Sequence, residues 1–374
     1  MKLNIRYFGK IEEASIEFGD LTIFVGPQAT GKTLVLELTK LIKDKGNIVA
    51  TLRKYGYEFD QREFISLFFG GGMGNLFRKE TRISLDGKCF DLEPLRGSRV
   101  REKVFYIPAQ RVLTLSDGWP RPFDGFNLED PYVVKNFSEN MRILLERRFE
   151  GAGTIFPPRQ GLKKSLRELL DASLFWGAEL KKTTHKAKKR ISLRINSSEL
   201  PYMVWSAGQR EFVPLLLGFY WLLPPRVHRK RKGTEIVIIE EPEMGLHPRA
   251  LEIVILLILE LLHRGYKVAI STHSAIFLDF AMLISYLKEQ NISKRKALDT
   301  IKAIFDIHHE DLDPLFRKAL TSDIRVHYFK PVSRNKVRVI DISNLMNLEE
   351  EEIADWGGLL SFGTKINNIL AELP

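Results

Sequence analysis

The chain opens on alternation. Apolar side chains recur at Leu3, Ile5 and Tyr7, the pattern turns near Gly9, resumes over residues 14–18, and turns again at Gly19-Asp20 before an unbroken apolar run over 21–25. Alternation predicts half-buried strands, and a continuous run predicts a strand covered on both faces. Over residues 34–43 the period becomes helical, with Leu34, Leu38 and Leu41 on one stripe and Val35 beside them. Residues 45–100 are less legible, apart from a hairpin predicted for 81–85 and 88–92 around Asp86-Gly87. Gly70, Gly71, Gly72 and Gly74 read as a mobile surface loop, with a flexible nucleotide-side loop as the alternative. Residues 104–107 predict a short buried strand ended by Pro108, and the Gly-, Pro- and Asp-rich stretch 112–133 reads as a long loop.

From about 134 to 189 the pattern reads as mostly helical, broken by the turn-rich stretch 151–161. Strands and helices then alternate: strand 191–195, helix 209–223, strand 235–239, helix 250–262 and strand 267–271, with further strands at 324–329 and 336–342. Such alternation predicts an α/β fold around a sheet with parallel strands. The expected divisions are residues 1–115, an insertion over 116–198, residues 199–345 and a tail over 346–374.

Composition narrows the class. Of 374 residues, 44% are hydrophobic and 28% charged, enough apolar material for a large core. The richest apolar run, 215–223, ends in Pro224-Pro225 and is too short to span a bilayer. The N-terminal residues carry no signal-peptide pattern, and the single cysteine, Cys89, excludes an intrachain disulfide framework. These features predict a cytoplasmic protein with no membrane partner. The formal charge of +10 attracts polyanions without naming one. Much of it lies in two blocks, Lys181, Lys182, Lys186, Lys188, Lys189 and Arg190, then Arg226, Arg229, Lys230, Arg231 and Lys232. A solvated surface and a phosphate-contacting one are equally compatible with these blocks, and neither has aromatic interleaving for stacked bases.

Residues 26–33, Gly26-Pro27-Gln28-Ala29-Thr30-Gly31-Lys32-Thr33, satisfy the phosphate-loop pattern G-x-x-x-x-G-K-[ST] between a predicted strand and helix. Loop N–H groups and the helix N-terminus would cradle the β-phosphate of ATP, Lys32 would reach the β- and γ-phosphates, and the Thr33 hydroxyl would ligate Mg²⁺. A second apolar strand runs into Glu240-Glu241-Pro242-Glu243. Carboxylates at such a strand end lie where open α/β sheets bind ligands. One, Glu240, suits Mg²⁺ through water, and Glu241 suits orientation or deprotonation of an attacking water. Thr272-His273-Ser274 follows the next strand, so His273 is a candidate for sensing the γ-phosphate or polarising the water, or else a structural histidine.

The set resembles the ABC-type ATPase heads of the SMC, Rad50 and RecF superfamily, and within it the OLD-like branch. Trp205-Ser206-Ala207-Gly208-Gln209 resembles the signature motif, and Glu240-Glu241-Pro242-Glu243 with Gly245-Leu246-His247-Pro248 resembles the Walker B and D-loop region. Residues 270–274 resemble the switch-histidine loop. Residues 105–111 stand where such heads have a Q-loop, which makes Gln110 a candidate for nucleotide and Mg²⁺ contact. The resemblance covers roughly residues 1–115 and 200–280. It implies a P-loop NTPase of ABC-ATPase type, with an N-terminal antiparallel β subdomain and a helical insertion. It also implies an ATP-bridged homodimer in which Ser206, Gly208 and Gln209 of one copy cap nucleotide held by the other. Glu240 replaces the usual Asp. His247 replaces the D-loop Asp, so that cross-dimer contact is not carried over. About ninety residues between Gln110 and Ser206 hold a short subdomain instead of coiled-coil arms. After His273, Asp311, Asp313, Asp341 and the acidic run 349–352 form no convincing nuclease set.

The leading expectation is an ATP-hydrolysing subunit that serves a separate nuclease or toxic effector in anti-phage defence or DNA maintenance. A RecF-like repair ATPase acting on DNA is the enzyme alternative, and a nucleotide-gated scaffold with little turnover the non-enzyme one.

Overall fold

The opening alternation folds as an antiparallel hairpin of β1 (Lys2–Phe8) and β2 (Ile11–Glu17), with Leu3, Ile5 and Phe8 buried. Tyr7 departs from the expected alternation. Its φ of 54° marks an irregularity in the β1 pairing, so Phe8 takes the inward place and the Tyr7 ring is left outside. Next come β3 (Leu21–Val25), β4 (Phe77–Leu85), β5 (Lys88–Cys89) and β6 (Val104–Ile107). Strands β7 (Thr154–Phe156), β8 (Glu179–His185), β9 (Lys188–Ile195) and β10 (Ser198–Pro201) follow. The last four are β11 (Ile236–Glu240), β12 (Lys267–Ser271), β13 (Ile324–Ser333) and β14 (Lys336–Asp341). The structure is a computed structural model that describes residues 1–98, 100–115, 118–149, 153–158, 160–225, 230–290, 292–346 and 356–359.

Among the described residues one mixed sheet runs in the order β5-β4-β1-β2-β14-β13-β3-β12-β11-β6. Strands β13, β3, β12, β11 and β6 pair in parallel, whereas β5, β4, β1 and β2 pair antiparallel. The predicted β subdomain is therefore continuous with the main sheet, joined where β14 pairs parallel to β2. Period-two geometry divides the central side chains between two cores. Leu21, Ile23 and Val25 pack on one side, while Phe24 packs on the other with Ile238 and Ala269.

Helices α1 (Lys32–Lys54), α2 (Gln61–Phe69), α3 (Tyr132–Arg148), α4 (Lys164–Leu170), α5 (Ala207–Leu222) and α6 (Pro248–His263) cover these faces. Three further helices, Ile276–Glu289, Lys294–Ile304 and Asp313–Thr321, lead to β13. Helix α1 outruns its predicted end at residue 43, because Ile48, Val49 and Leu52 continue the buried stripe beyond Gly46. The α2 segment, unread from sequence, starts with a reciprocal capping box between Asp60 and Glu63 and buries Phe64, Ile65, Phe68 and Phe69.

The stretch expected to be a helical insertion is half sheet. Beyond α3 and α4 it forms β7, β8 and β9, which join β10 in a four-stranded antiparallel sheet ordered β10-β9-β8-β7. Leu180, Ile191 and Leu193 alternate inward, and Lys186 and Ala187, with φ of 46° and 63°, make the tight turn.

Candidate functional site

The parallel register sets the site. Glu240 of β11 stands opposite Ser271 of β12, Ser271 stands opposite Phe24 of β3, and Ile239 stands opposite Ile107 of β6. Four carboxyl ends therefore emerge level at one edge of the sheet. Each releases one candidate segment: the phosphate loop after β3, His273 after β12, Glu241 after β11 and Gln110 after β6.

The phosphate loop owes its shape to positive φ angles at Gly26, Ala29 and Gly31 of 137°, 59° and 96°. Gly26 also needs its lack of a side chain, since a Cβ there would stand 2.8 Å from the Phe329 carbonyl oxygen. Gly31 caps α1 without a side-chain hydrogen bond, leaving first-turn N–H groups for an anion. Lys32 folds back, and its Nζ donates to the carbonyls of Gly26 at 2.7 Å and Pro27 at 2.9 Å. Burial lowers its pKa to about 8, against the opposing pull of Glu241, Glu243 and Glu240.

Glu240 is buried. Its Oε2 accepts from the Ala109 N–H at 3.2 Å, and its Oε1 has no hydrogen-bond partner. Burial raises its pKa, although the nearby Thr33 hydroxyl, the Ala109 N–H and the Tyr106 hydroxyl pull the other way. An orphaned carboxylate oxygen beside a threonine hydroxyl fits a hydrated Mg²⁺. The described residues contain no cluster of three His, Cys, Asp or Glu side chains for a metal. A phosphate-loop Mg²⁺ needs none, because hydroxyl, phosphate and water oxygens fill most positions.

Glu241 is partly exposed with φ 41°, its N–H donating to the Ser271 carbonyl at 2.9 Å. Its Oε1 lies 3.7 Å from His273 Nε2, so the two side chains face one space without a direct hydrogen bond. Burial, and then the Lys32 charge, lower the His273 pKa, while Glu241 opposes them. The imidazole is therefore neutral near pH 7.

Gln28, Lys32, Thr33, Gln110, Glu241 and His273 line one open cleft of about 1000 Å³. Ser206, Gly208 and Gln209 do not. They sit at the start of α5, where Ser206 is exposed and forms a reciprocal capping box with Gln209.

Two features escaped the sequence. Glu243 accepts from Thr272 Oγ1 at 2.9 Å and from the His273 N–H at 2.5 Å, so it fixes the histidine turn. Tyr7, 46% exposed, lines the cleft. Gly72 and Met73 line it too, so the glycine-rich loop reaches the cleft, as its less favoured sequence reading had it. The capping D-x-x-E ahead of Phe64 was a legible signal for the element preceding that loop. No sequence signal marked Tyr7, whose position depends on an irregular strand.

Asp311 accepts from Ser165, Asp313 pairs with Lys302 at 2.9 Å and Asp341 accepts from Ser343, so each is engaged locally. The acidic run 349–352, Arg226 and Arg229 lie outside the described residues. Among the described residues no helix is long and apolar enough to cross a membrane.

This strand-end arrangement around a phosphate loop, with an antiparallel arm on the sheet and a capped S-x-G-Q helix start, defines a P-loop NTPase of the ABC-ATPase type. The chain belongs to the family described as "AAA domain, putative AbiEii toxin, Type IV TA system", which matches residues 21–279. No curated protein matches the sequence. Among solved structures, it is similar to a Smc head bound to the C-winged helix domain of ScpA, at 10% identity and TM-score 0.45, over 91% of this chain and 96% of that one. It is also similar to the SMC head domain from Thermotoga maritima, at 13% identity and TM-score 0.38, over 91% and 97%. An ATP-binding cassette solved as a dimer with ADP and phosphate is similar at 14% identity and TM-score 0.31, over 73% and 89%.

Proposed function

We propose that the chain binds Mg-ATP in this cleft and hydrolyses it in a site completed by a second copy. The observation that carries the reading is the level emergence of Lys32, Thr33, Gln110, Glu241 and His273 at one sheet edge, while Ser206 is exposed at the start of α5 and does not line their cleft. In this reading the loop from Gly26 through Pro27, Gln28, Ala29 and Thr30 to Gly31 wraps the β-phosphate, and Lys32 swings from its carbonyl partners to the γ-phosphate. Thr33 and Glu240, with Gln110 at the rim, would hold Mg²⁺, which supplies charge neutralisation at the phosphates. Glu241 takes the proton of the attacking water as its oxygen bonds to the γ-phosphorus and the bond to the β-phosphate oxygen breaks. Neutral His273 donates to the γ-phosphate, held in place by Glu243. Tyr7 offers its ring to the base.

Ser206, Gly208 and Gln209 act on the nucleotide of the opposite copy. We infer further that the head serves a separate effector, in anti-phage defence or DNA maintenance. The family description, which names a toxin and a type IV toxin–antitoxin system, is compatible with that role. Measured phosphate release with Mg-ATP, lost in Glu241→Gln while ATP remains bound, tests the chemistry. Unchanged release in that variant overturns it. Co-purification from the native operon tests the effector.

A further inference from the structure

Arg111 follows Gln110 and its side chain is fully buried. A buried guanidinium needs acceptors for its forked N–H groups and a counter-charge. Arg111 takes them from two parts of the fold. Nη1 donates to the carbonyls of Glu240 at 3.0 Å and Pro108 at 3.4 Å, and Nη2 donates to the carbonyl of Glu241 at 3.1 Å. Nε donates to the carbonyl of Glu211 at 3.3 Å, and the Glu211 carboxylate stands 3.9 Å from Nη2. Glu240 closes β11 and Glu241 follows it, whereas Glu211 lies in the second turn of α5, just past Ser206, Gly208 and Gln209. The same two parts also meet directly. A Cβ on Gly208 would lie 3.0 Å from the Gly245 carbonyl oxygen, and one on Gly245 would lie 2.9 Å from Glu211 Cγ. Glu241 holds φ 41°, an uncommon conformation for a non-glycine residue, and the surrounding structure must secure it.

We propose that Arg111 is a positioning residue that clamps the backbone of Glu240 and Glu241 to α5. The hydrolytic carboxylates of one copy and the signature that the same copy offers to the opposite nucleotide then move as one body. This rests on the ATPase reading above. Lysine cannot replace the clamp, because its ammonium is a single point of charge and the acceptors are spread along two backbone segments.

The test uses the full chain and Mg-ATP. Arg111→Lys lowers kcat by about tenfold to a hundredfold with ATP affinity within about twofold of wild type, the split expected when catalytic groups are misplaced. Glu211→Gln gives a smaller loss of the same kind. Because the two act through one contact, the double variant is no slower than Arg111→Lys alone. A kcat for Arg111→Lys within about twofold of wild type overturns the proposal, as do losses that multiply in the double variant. If Arg111→Lys fails to fold, Glu211→Gln decides alone: a lowered kcat at unchanged affinity supports the clamp, and normal kcat overturns it. If the wild-type chain binds ATP without turnover, the hydrolytic reading fails, and hydrogen exchange reads the clamp instead. ATP then protects the start of α5 in the wild type but not in Arg111→Lys. Equal protection in both, or none in the wild type, overturns it.

Discussion

Lys32 is held by two carbonyl oxygens and by partial burial, so before nucleotide arrives its charge is weakly supported. Lys32→Ala should abolish tight ATP binding and turnover, checked by calorimetry on the folded variant; unchanged affinity would sink the phosphate-loop assignment. The depressed pKa adds a pH dependence whose sign is fixed. The ammonium is present below about 8 and is lost as pH rises through that value, whereas bound phosphates favour the charged form. ATP affinity should therefore be flat below pH 8 and fall by up to about tenfold per pH unit above it, with proton uptake on binding. Affinity that is flat to pH 10 would show that Lys32 stays charged without nucleotide. Glu241→Gln should keep ATP bound and slow hydrolysis by roughly a hundredfold or more, read by single-turnover release. Near-normal turnover would move the role to His273. Glu243 belongs to a different category, since its bonds to Thr272 and the His273 N–H order the turn without facing the cleft. The candidates that line the cleft together were legible because each follows an apolar strand at a short spacing. Glu243 and Arg111 were not, because their roles lie in contacts with the Thr272–His273 turn, β11 and α5 that the local pattern does not encode.

At the scale of elements, the central strands were readable because burial on both faces leaves no polar positions in β3 and β11 apart from Thr22 and the terminal Glu240. Of the hairpin of β8 and β9, the strand over 191–195 was read and β8 was misread as helix. The run of lysines hides the inward place of Leu180, and the turn uses Lys186-Ala187 where glycine or asparagine would have signalled a reversal. Sheet geometry also changes the meaning of the basic block. Lys181 pairs with Glu179 at 2.9 Å, Lys189 with Glu146 at 3.7 Å and Arg190 with Glu199 at 3.9 Å. Lys182 donates to the Phe149 carbonyl at 3.1 Å. Much of the charge is thus partnered within the fold, while Lys186 and Lys188 are exposed at the hairpin tip. Reversing Lys186 and Lys188 to Glu should leave basal hydrolysis unchanged and weaken capture of a polyanionic partner. With duplex DNA as the probe, the slope of log affinity against log salt should shrink by about two phosphate contacts, about 1.8. An unchanged slope and affinity would leave the tip as solvated charge.

At the scale of the molecule, the proposed reading divides the site between two copies. The cleft gathers Lys32, Glu241 and His273, yet Ser206 stands exposed at the start of α5, outside that cleft and in a capping box with Gln209. An enzyme complete within one chain gains nothing when two inactive variants are mixed. Here Lys32→Ala and Ser206→Arg should each be nearly inactive alone, the first for want of phosphate charge and the second for want of a clear helix N-terminus. In the mixed pair, one interface joins the intact phosphate loop of the Ser206→Arg chain to the intact signature of the Lys32→Ala chain. That interface should recover hydrolysis, up to about half of the wild-type rate per dimer when the two sites fire independently, because transition-state charge stabilisation is restored there. Smaller recovery would mean that both sites must close together, and the Glu241→Gln variant distinguishes that case, since ATP should drive it into a stable dimer visible by light scattering. Mixing that never restores activity, together with a Glu241→Gln variant that stays monomeric in ATP, would remove the trans role of Ser206. The capping box of Ser206 and Gln209 would then be a helix start and nothing more.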